Sequence, residues 1–200
     1  PGAGHNVAQL FASLPTSVQG STMVKMTSVQ AAYLCVNLGP QRAAKALSAT
    51  STEGGSASGN AFSAATLEAI IDHRDDKWSE DAHGVPRGPG AAARGASTDI
   101  LAAMAEESPE AASGVLGSLD PVVGASTIAN LPPTVAADLA SGVSDPTVSA
   151  AILEEMPVEK RAAMMVKMEP GAGAAAASAM NPEACADAME TITHTIMTTT

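Results

Sequence analysis

The chain has 200 residues, of which 46% are hydrophobic and only 2% are aromatic, and its formal net charge is −11. Because aromatic side chains are so rare, the core must be built from small and flexible residues, among them ten methionines. The negative charge excludes nucleic acid and acidic lipid surfaces as expected partners, since phosphate binding needs clustered basic residues. No apolar run approaches the roughly 18 residues of a membrane span, so direct membrane insertion is not expected.

Residues 1–50 form the first block of predicted helices. The sequence LPTSVQGSTMVKM (14–26) ends in the same four residues, MVKM, as the sequence MPVEKRAAMMVKM (156–168). The pattern predicts short helical units, the first entered in mid-unit at Val7 to Leu14. The next units keep a spacing of twelve residues: TSVQAAYLCVNL (27–38) and GPQRAAKALSAT (39–50).

An insertion, residues 51–97, interrupts the repeats. Both of its flanks are rich in Gly, Ser or Pro, which is typical of loops and linkers. A helix is predicted between them from about Ser63 to His73. Trp78, the only tryptophan, is predicted to anchor the segment. The apolar side chains predicted to pack on the array are Phe62, Leu67, Ile70 and Ile71.

Residues 98–200 form the second block, in which most repeat units open with a capping residue followed by proline. A side-chain oxygen caps a helix, and proline suits its first turn, so the prolines are predicted to begin helices. The units are SPEAASGVLGSL (108–119), DPVVGASTIANL (120–131), PPTVAADLASGVS (132–144), DPTVSAAILEEM (145–156), PVEKRAAMMVKM (157–168), EPGAGAAAASAM (169–180) and NPEACADAMETI (181–192).

Small or apolar residues fall near the sixth, ninth and twelfth places of a unit, as in Ala150, Leu153 and Met156. This spacing predicts one narrow apolar stripe on a helix of about ten residues. Such a helix, about 15 Å long, is marginal alone and must pack on its neighbours. The predicted fold is therefore an all-α solenoid of roughly a dozen short helices.

The repeats resemble a known family through LPPTVAADLASGV, ILEEMPVEKRAAMMVKMEP and MNPEACADAMETI. Units of the form Pro-x-x-x-Ala-Ala-x-x-Leu-x-x-Met are similar to the MgtE intracellular N-terminal domain, whose right-handed superhelix is shared with the middle region of the flagellar switch protein FliG. The resemblance covers residues 98–192 and, more loosely, 7–50. This chain departs from the family in its Gly/Ser-rich insertion and in its few charges.

The resemblance implies a right-handed superhelical solenoid with one of two functions. In flagellar proteins the related fold is a docking surface, which implies a cytoplasmic, non-catalytic scaffold or docking module for other proteins of a flagellar, ciliary or other multiprotein assembly. In magnesium channels the domain regulates gating, which implies the alternative of a cytosolic Mg²⁺-sensing regulatory domain related to magnesium transporters.

Candidate metal ligands occur in the densest polar stretch, which contains Asp72, His73 and Asp76. Carboxylates and an imidazole at these spacings can hold a divalent cation, with the last two one helical turn apart. The alternative interpretation is a solvated charge run beside a linker. A second acidic region would either serve the Mg²⁺ sensor or complement helix dipoles: Asp145, Glu154, Glu155, Glu159 and Glu169.

Methionines at helical spacing, with Trp78, are the candidate partner-binding residues: Met156, Met165 and Met168. Flexible thioether side chains form adaptable grooves for partner helices, and they also fill cores. No catalytic triad, nucleophile elbow or phosphate-binding loop is readable, so neither a catalytic residue nor a resident metal or cofactor is predicted. An enzyme whose site is assembled from scattered residues is a third hypothesis.

Cys35 and Cys185 lie far apart in apolar stretches of the sequence. They are predicted to be buried, to pack as small hydrophobic residues and to stay reduced in a reducing compartment. The C-terminal TITHTIMTTT is rich in β-branched residues, which lowers its helix propensity.

Overall fold

The computed structural model describes residues 3–53, 56–72 and 95–199, and all regular elements in these ranges are α-helices. This confirms the all-α prediction. The thirteen helices of the described ranges are α1 (Ala3–Ala12), α2 (Thr16–Met23), α3 (Ser28–Leu38), α4 (Pro40–Glu53), α5 (Ser56–Asp72), α6 (Ala96–Glu107), α7 (Pro109–Leu116), α8 (Pro121–Ile128), α9 (Pro133–Ser141), α10 (Pro146–Glu154), α11 (Val158–Met165), α12 (Pro170–Ala179) and α13 (Pro182–Thr199).

Each of the seven units between residues 108 and 192 contains one helix start, and the prolines lie at these starts as predicted. Side-chain oxygens of the preceding residues accept hydrogen bonds from backbone N–H groups of the first turn. The N–O distances are 3.0 Å from Val122 to Asp120, 2.9 Å from Thr147 to Asp145, 2.9 Å from Ala172 to Glu169 and 2.9 Å from Glu183 to Asn181.

Five places of the twelve are buried in most units: the fifth, sixth, eighth, ninth and twelfth. In the unit 145–156 these are Ser149, Ala150, Ile152, Leu153 and Met156, and in the unit 39–50 they are Ala43, Ala44, Ala46, Leu47 and Thr50. The predicted stripe of sixth, ninth and twelfth places was too narrow. It was derived for a single face, whereas each internal helix packs on two neighbours.

The helices form two compact units, Pro1–Ser118 and Leu119–Thr200. In the second unit, α8, α10 and α12 contact one another in succession, and so do α9, α11 and α13. In the first unit, α1, α3, α5 and α7 form one such series and α2, α4 and α6 another. A helix therefore packs on the helix two places along the chain, which is a repeat-like arrangement. The sequence blocks 1–50, 51–97 and 98–200 stay a prediction.

The helix predicted inside the insertion begins earlier than expected, because α5 covers Ser56–Asp72 and contacts α3 and α4. Leu67 and Ile70 are fully buried, as predicted. A buried hydroxyl pair, Thr50 Oγ1 and Ser63 Oγ, lies 3.0 Å apart and joins α4 to α5. The predicted helix end at His73 and the predicted anchor Trp78 lie outside the described residues.

The C-terminal sequence remains helical despite its β-branched residues, since α13 extends to Thr199. Its threonine hydroxyls donate to carbonyl oxygens one turn back: Thr191 to Asp187 at 2.9 Å, Thr193 to Met189 at 2.8 Å and Thr195 to Thr191 at 2.9 Å. These bonds satisfy the hydroxyl groups within the helix. Among the described helices, none has the length and hydropathy that a membrane crossing requires.

Candidate docking groove

A groove of about 280 Å³ lies in the second compact unit, between the C-terminal end of α8 and helices α9 and α11. Its walls are mainly apolar: Ile128 and Leu131 come from the end of α8, Ala136 from α9, Met156 from the turn after α10 and Met164 from α11. Ala136 is the fifth-place residue of α9 and Met164 the eighth-place residue of α11, and both line the groove.

Two exposed residues of opposite charge, Glu159 and Lys160, lie at this groove on the first turn of α11. Lys160 Nζ donates a hydrogen bond of 2.6 Å to the carbonyl oxygen of Ala129, which joins α11 to the end of α8. Ala163, one turn further along α11, lines the groove and is exposed. The site thus combines an apolar floor with a polar edge, which suits a partner's apolar side chain beside polar groups.

Only one of the predicted partner-binding methionines lines the groove. Met156 does so, although most of its side chain is buried. Met168 is buried and Met165 is half-buried, and neither belongs to the lining. Met164, at the eighth place, is the methionine that the predicted stripe left out. A partner role for these methionines stays a prediction, as does that of Trp78, which lies outside the described residues.

The predicted metal ligands are described only in part. Asp72 is the exposed last residue of α5, whereas His73 and Asp76 lie outside the described residues. Within the described ranges, no group of three or more His, Cys, Asp or Glu side chains is placed to hold a metal ion.

Three residues of the second acidic region have structural roles. The Thr147 hydroxyl donates to Asp145 at 2.7 Å, and this bond with the backbone N–H bonds lowers the pKa of Asp145 below its ordinary value. The N–H groups of Ala172 and Gly171 lower the pKa of Glu169 in the same way. Glu154 accepts a hydrogen bond from the backbone N–H of Asn181, which joins α10 to the start of α13. These three carboxylates serve helix ends.

Arg161 on α11 is the buried charged residue of the described chain, with 7% of its surface exposed. Its Nη1 donates to the carbonyl oxygen of Ala184 at 2.9 Å and its Nη2 to that of Met156 at 3.4 Å. Its Nε is buried without a hydrogen-bond partner. Arg161 therefore joins α11 to the first turn of α13. The sequence signal for it is a long charged side chain at the fifth place, where the other units between residues 108 and 192 carry Ala, Gly, Ser or Cys.

A smaller cavity of about 150 Å³ lies in the first compact unit, beside Cys35, Gly39 and the start of α6. Complete burial raises the pKa of Cys35 to about 12, so its thiol stays protonated and is a poor nucleophile. Cys35 is buried, as predicted, and Cys185 is half-buried; neither forms a disulfide.

Comparisons of the chain with protein-family models, curated proteins and solved structures found no match. Fold and surface therefore define the class of the protein: an all-α, repeat-like chain of short helices with an apolar groove.

Proposed function

We propose that the chain is a non-catalytic helical-repeat docking module, in which a right-handed superhelix of short helices presents the groove of α8, α9 and α11 to a partner protein. The groove carries this proposal, because it is an apolar concavity with charged residues at its edge. The repeat sequences also support the proposal, because they resemble docking and regulatory domains of the FliG and MgtE type.

The groove is suited to an apolar anchor from a protein. Its volume of about 280 Å³ lies below the roughly 300–1,000 Å³ of pockets that enclose small-molecule ligands. Buried anchors in apolar pockets carry most of the energy of protein–protein binding, and an amphipathic helix presents such anchors at helical spacing. Glu159 and Lys160 at the edge orient the partner through its polar residues.

The setting that we propose is a larger cytoplasmic assembly, of which a flagellar or ciliary structure is one example. Net negative charge over most of the chain favours partners with basic rims. Magnesium sensing is the competing function, and it requires acidic residues that are free to share a cation.

The test compares two alanines that are both exposed, Ala163 in the groove and Ala175 on α12 outside its lining. The full chain is used to capture partners from its native source as wild type, Ala163→Glu and Ala175→Glu. We expect the same partners with the wild type and Ala175→Glu, and their loss with Ala163→Glu, because a carboxylate cannot be buried under an apolar anchor. Equal capture of partners by both variants would refute the proposal that the groove is the docking site. If no specific partner is captured and the melting temperature of the chain rises with Mg²⁺, the Mg²⁺-sensing function is favoured.

A further inference from the structure

The two charged residues at the edge of the docking groove are not equivalent. Lys160 Nζ already donates a hydrogen bond of 2.6 Å to the carbonyl oxygen of Ala129. Glu159, its exposed neighbour, has no hydrogen bond or ion pair with any residue that the structure describes. The carboxylate of Glu159 is therefore the charge at the groove that is available to pair with a group of a partner.

The surroundings of the groove are acidic. Glu155 is exposed just after α10 and precedes the lining residue Met156. The compact unit Leu119–Thr200 contains ten Asp or Glu and three Lys or Arg, and one of these three, Arg161, is buried. The C-terminal end of α8 also lies at the groove, and the C-terminal end of a helix favours positive charge. These features together favour a cationic partner.

Glu159 and Ala163 define the spacing that a partner has to match. They lie four residues apart on α11, both are exposed, and both line the groove. Four residues of an α-helix rise about 6 Å, which is roughly one turn, so the two side chains lie on the same side of α11. A partner helix that packs along α11 with an apolar side chain over Ala163 therefore brings a residue one turn away to Glu159.

We propose that the occupant of the groove is a basic amphipathic helix of another protein, in which a Lys or Arg lies one helical turn from the apolar anchor and pairs with Glu159. This inference rests on the proposed docking function and adds the chemistry of the partner to it. An acidic helix with the same apolar residues would place like charges together at Glu159 and Glu155, which disfavours its binding. The groove thus selects its partner by charge as well as by apolar contact.

Binding of two synthetic peptides to the full chain, measured by fluorescence anisotropy, tests the inference. Both peptides are amphipathic with leucines at helical spacing. They differ in one residue, which lies one turn from the central leucine and is Lys in one peptide and Glu in the other. The Lys peptide should bind the wild type about two- to fivefold more tightly, which is the range of one exposed ion pair. This preference should be reversed in Glu159→Lys.

Two further variants separate the ion pair from the apolar contact. Ala163→Glu should weaken the binding of both peptides by about tenfold or more, because it places a carboxylate under the apolar anchor. Glu110→Lys is the matched control, since Glu110 is also an exposed third-place residue in the first turn of its helix, α7, and lies outside the groove lining. It changes the net charge of the chain equally and should keep the wild-type preference.

The outcomes distinguish the chemistry of the partner from the docking groove itself. Equal affinity of the wild type for the two peptides, with the binding of both lost in Ala163→Glu, would overturn the basic partner and leave the groove intact. A preference for the Lys peptide that persists in Glu159→Lys would overturn the pairing at Glu159. Binding of neither peptide to the wild type would overturn the helix as the occupant. Binding of both that is unchanged in Ala163→Glu would contradict the groove, and with it the proposed function.

Discussion

At the scale of single residues, Arg161 is the most unusual feature of the second compact unit. A buried guanidinium without a carboxylate partner is costly unless its N–H groups find acceptors. Two of its nitrogens do so, at the carbonyl oxygens of Ala184 and Met156. The bond to Ala184 joins α11 to the helix two places later, so this side chain stabilises the contact between α11 and α13.

Arg161→Ala should lower the free energy of unfolding by about 2–4 kcal/mol, because two carbonyl groups lose a donor and the space of the side chain is left empty. Arg161→Met fills the space and should cost about half as much. Urea unfolding measures both changes, and hydrogen exchange at the first turn of α13 should become faster in both. Equal stability of Arg161→Met and wild type would show that the two hydrogen bonds make no net contribution.

Gly59 on α5 is a second residue that decides the packing, because it has no side chain. An added Cβ would meet the carbonyl oxygen of Thr50 and lie 2.5 Å from Ser51 Cα, both of which belong to the backbone of α4. Gly173 on α12 offers the contrast, since its nearest atom would be Met168 Cβ at 3.5 Å, an ordinary contact.

Gly59→Ala should therefore destabilise the first compact unit, by about 2 kcal/mol or more, through backbone displacement. Gly173→Ala should stabilise the second by about 0.5–1 kcal/mol, because alanine is the better helix former. Thermal unfolding measures both changes in stability, which should have opposite signs. A Gly59→Ala protein as stable as the wild type would contradict the close approach of α5 to the backbone of α4 at this residue.

At the scale of helices, the acidic caps set a dependence of stability on pH. The pKa values of Asp145 and Glu169 are lowered by the hydrogen bonds that their carboxylates accept in the folded state. A lowered folded pKa means that the stabilisation is complete above the ordinary values of 3.8 and 4.5 and is lost as the pH falls through the folded values.

The double variant Asp145→Asn with Glu169→Gln should melt at a lower temperature than the wild type at pH 7. The difference between them should shrink as the pH falls below about 4, because the wild-type carboxyl groups become protonated as well. Melting curves across this range measure the difference. A constant difference from pH 7 to pH 3 would contradict the role of the charged caps.

Helix starts were predictable because their determinants are local: a capping oxygen and a following proline recur every twelve residues. The length of α13 was not predictable, because intrinsic propensity is a weak guide and the helix continues through the β-branched residues to Thr199. The groove could not be predicted from the sequence, because it is formed by helices that are separated along the chain. Its lining includes Ala136 at a fifth place and Met164 at an eighth place, and the predicted stripe omitted both places.

At the scale of the whole molecule, one repeat accounts for the fold that carries the groove proposed for docking. Helices of about ten residues have little stability alone, so each buries one face on the preceding helix of its series and another on the following one. Side chains from the end of α8, from α9 and from α11 line the groove.

The most direct test of the docking function is crosslinking of the full chain to its captured partner through lysine amines. Lys160 lies at the groove, whereas Lys45 is an exposed lysine on α4 in the other compact unit. We predict partner crosslinks at Lys160 and not at Lys45, and their loss in Ala163→Glu. Partner crosslinks at Lys45 alone, or crosslinks at Lys160 that persist in Ala163→Glu, would contradict the groove as the docking site.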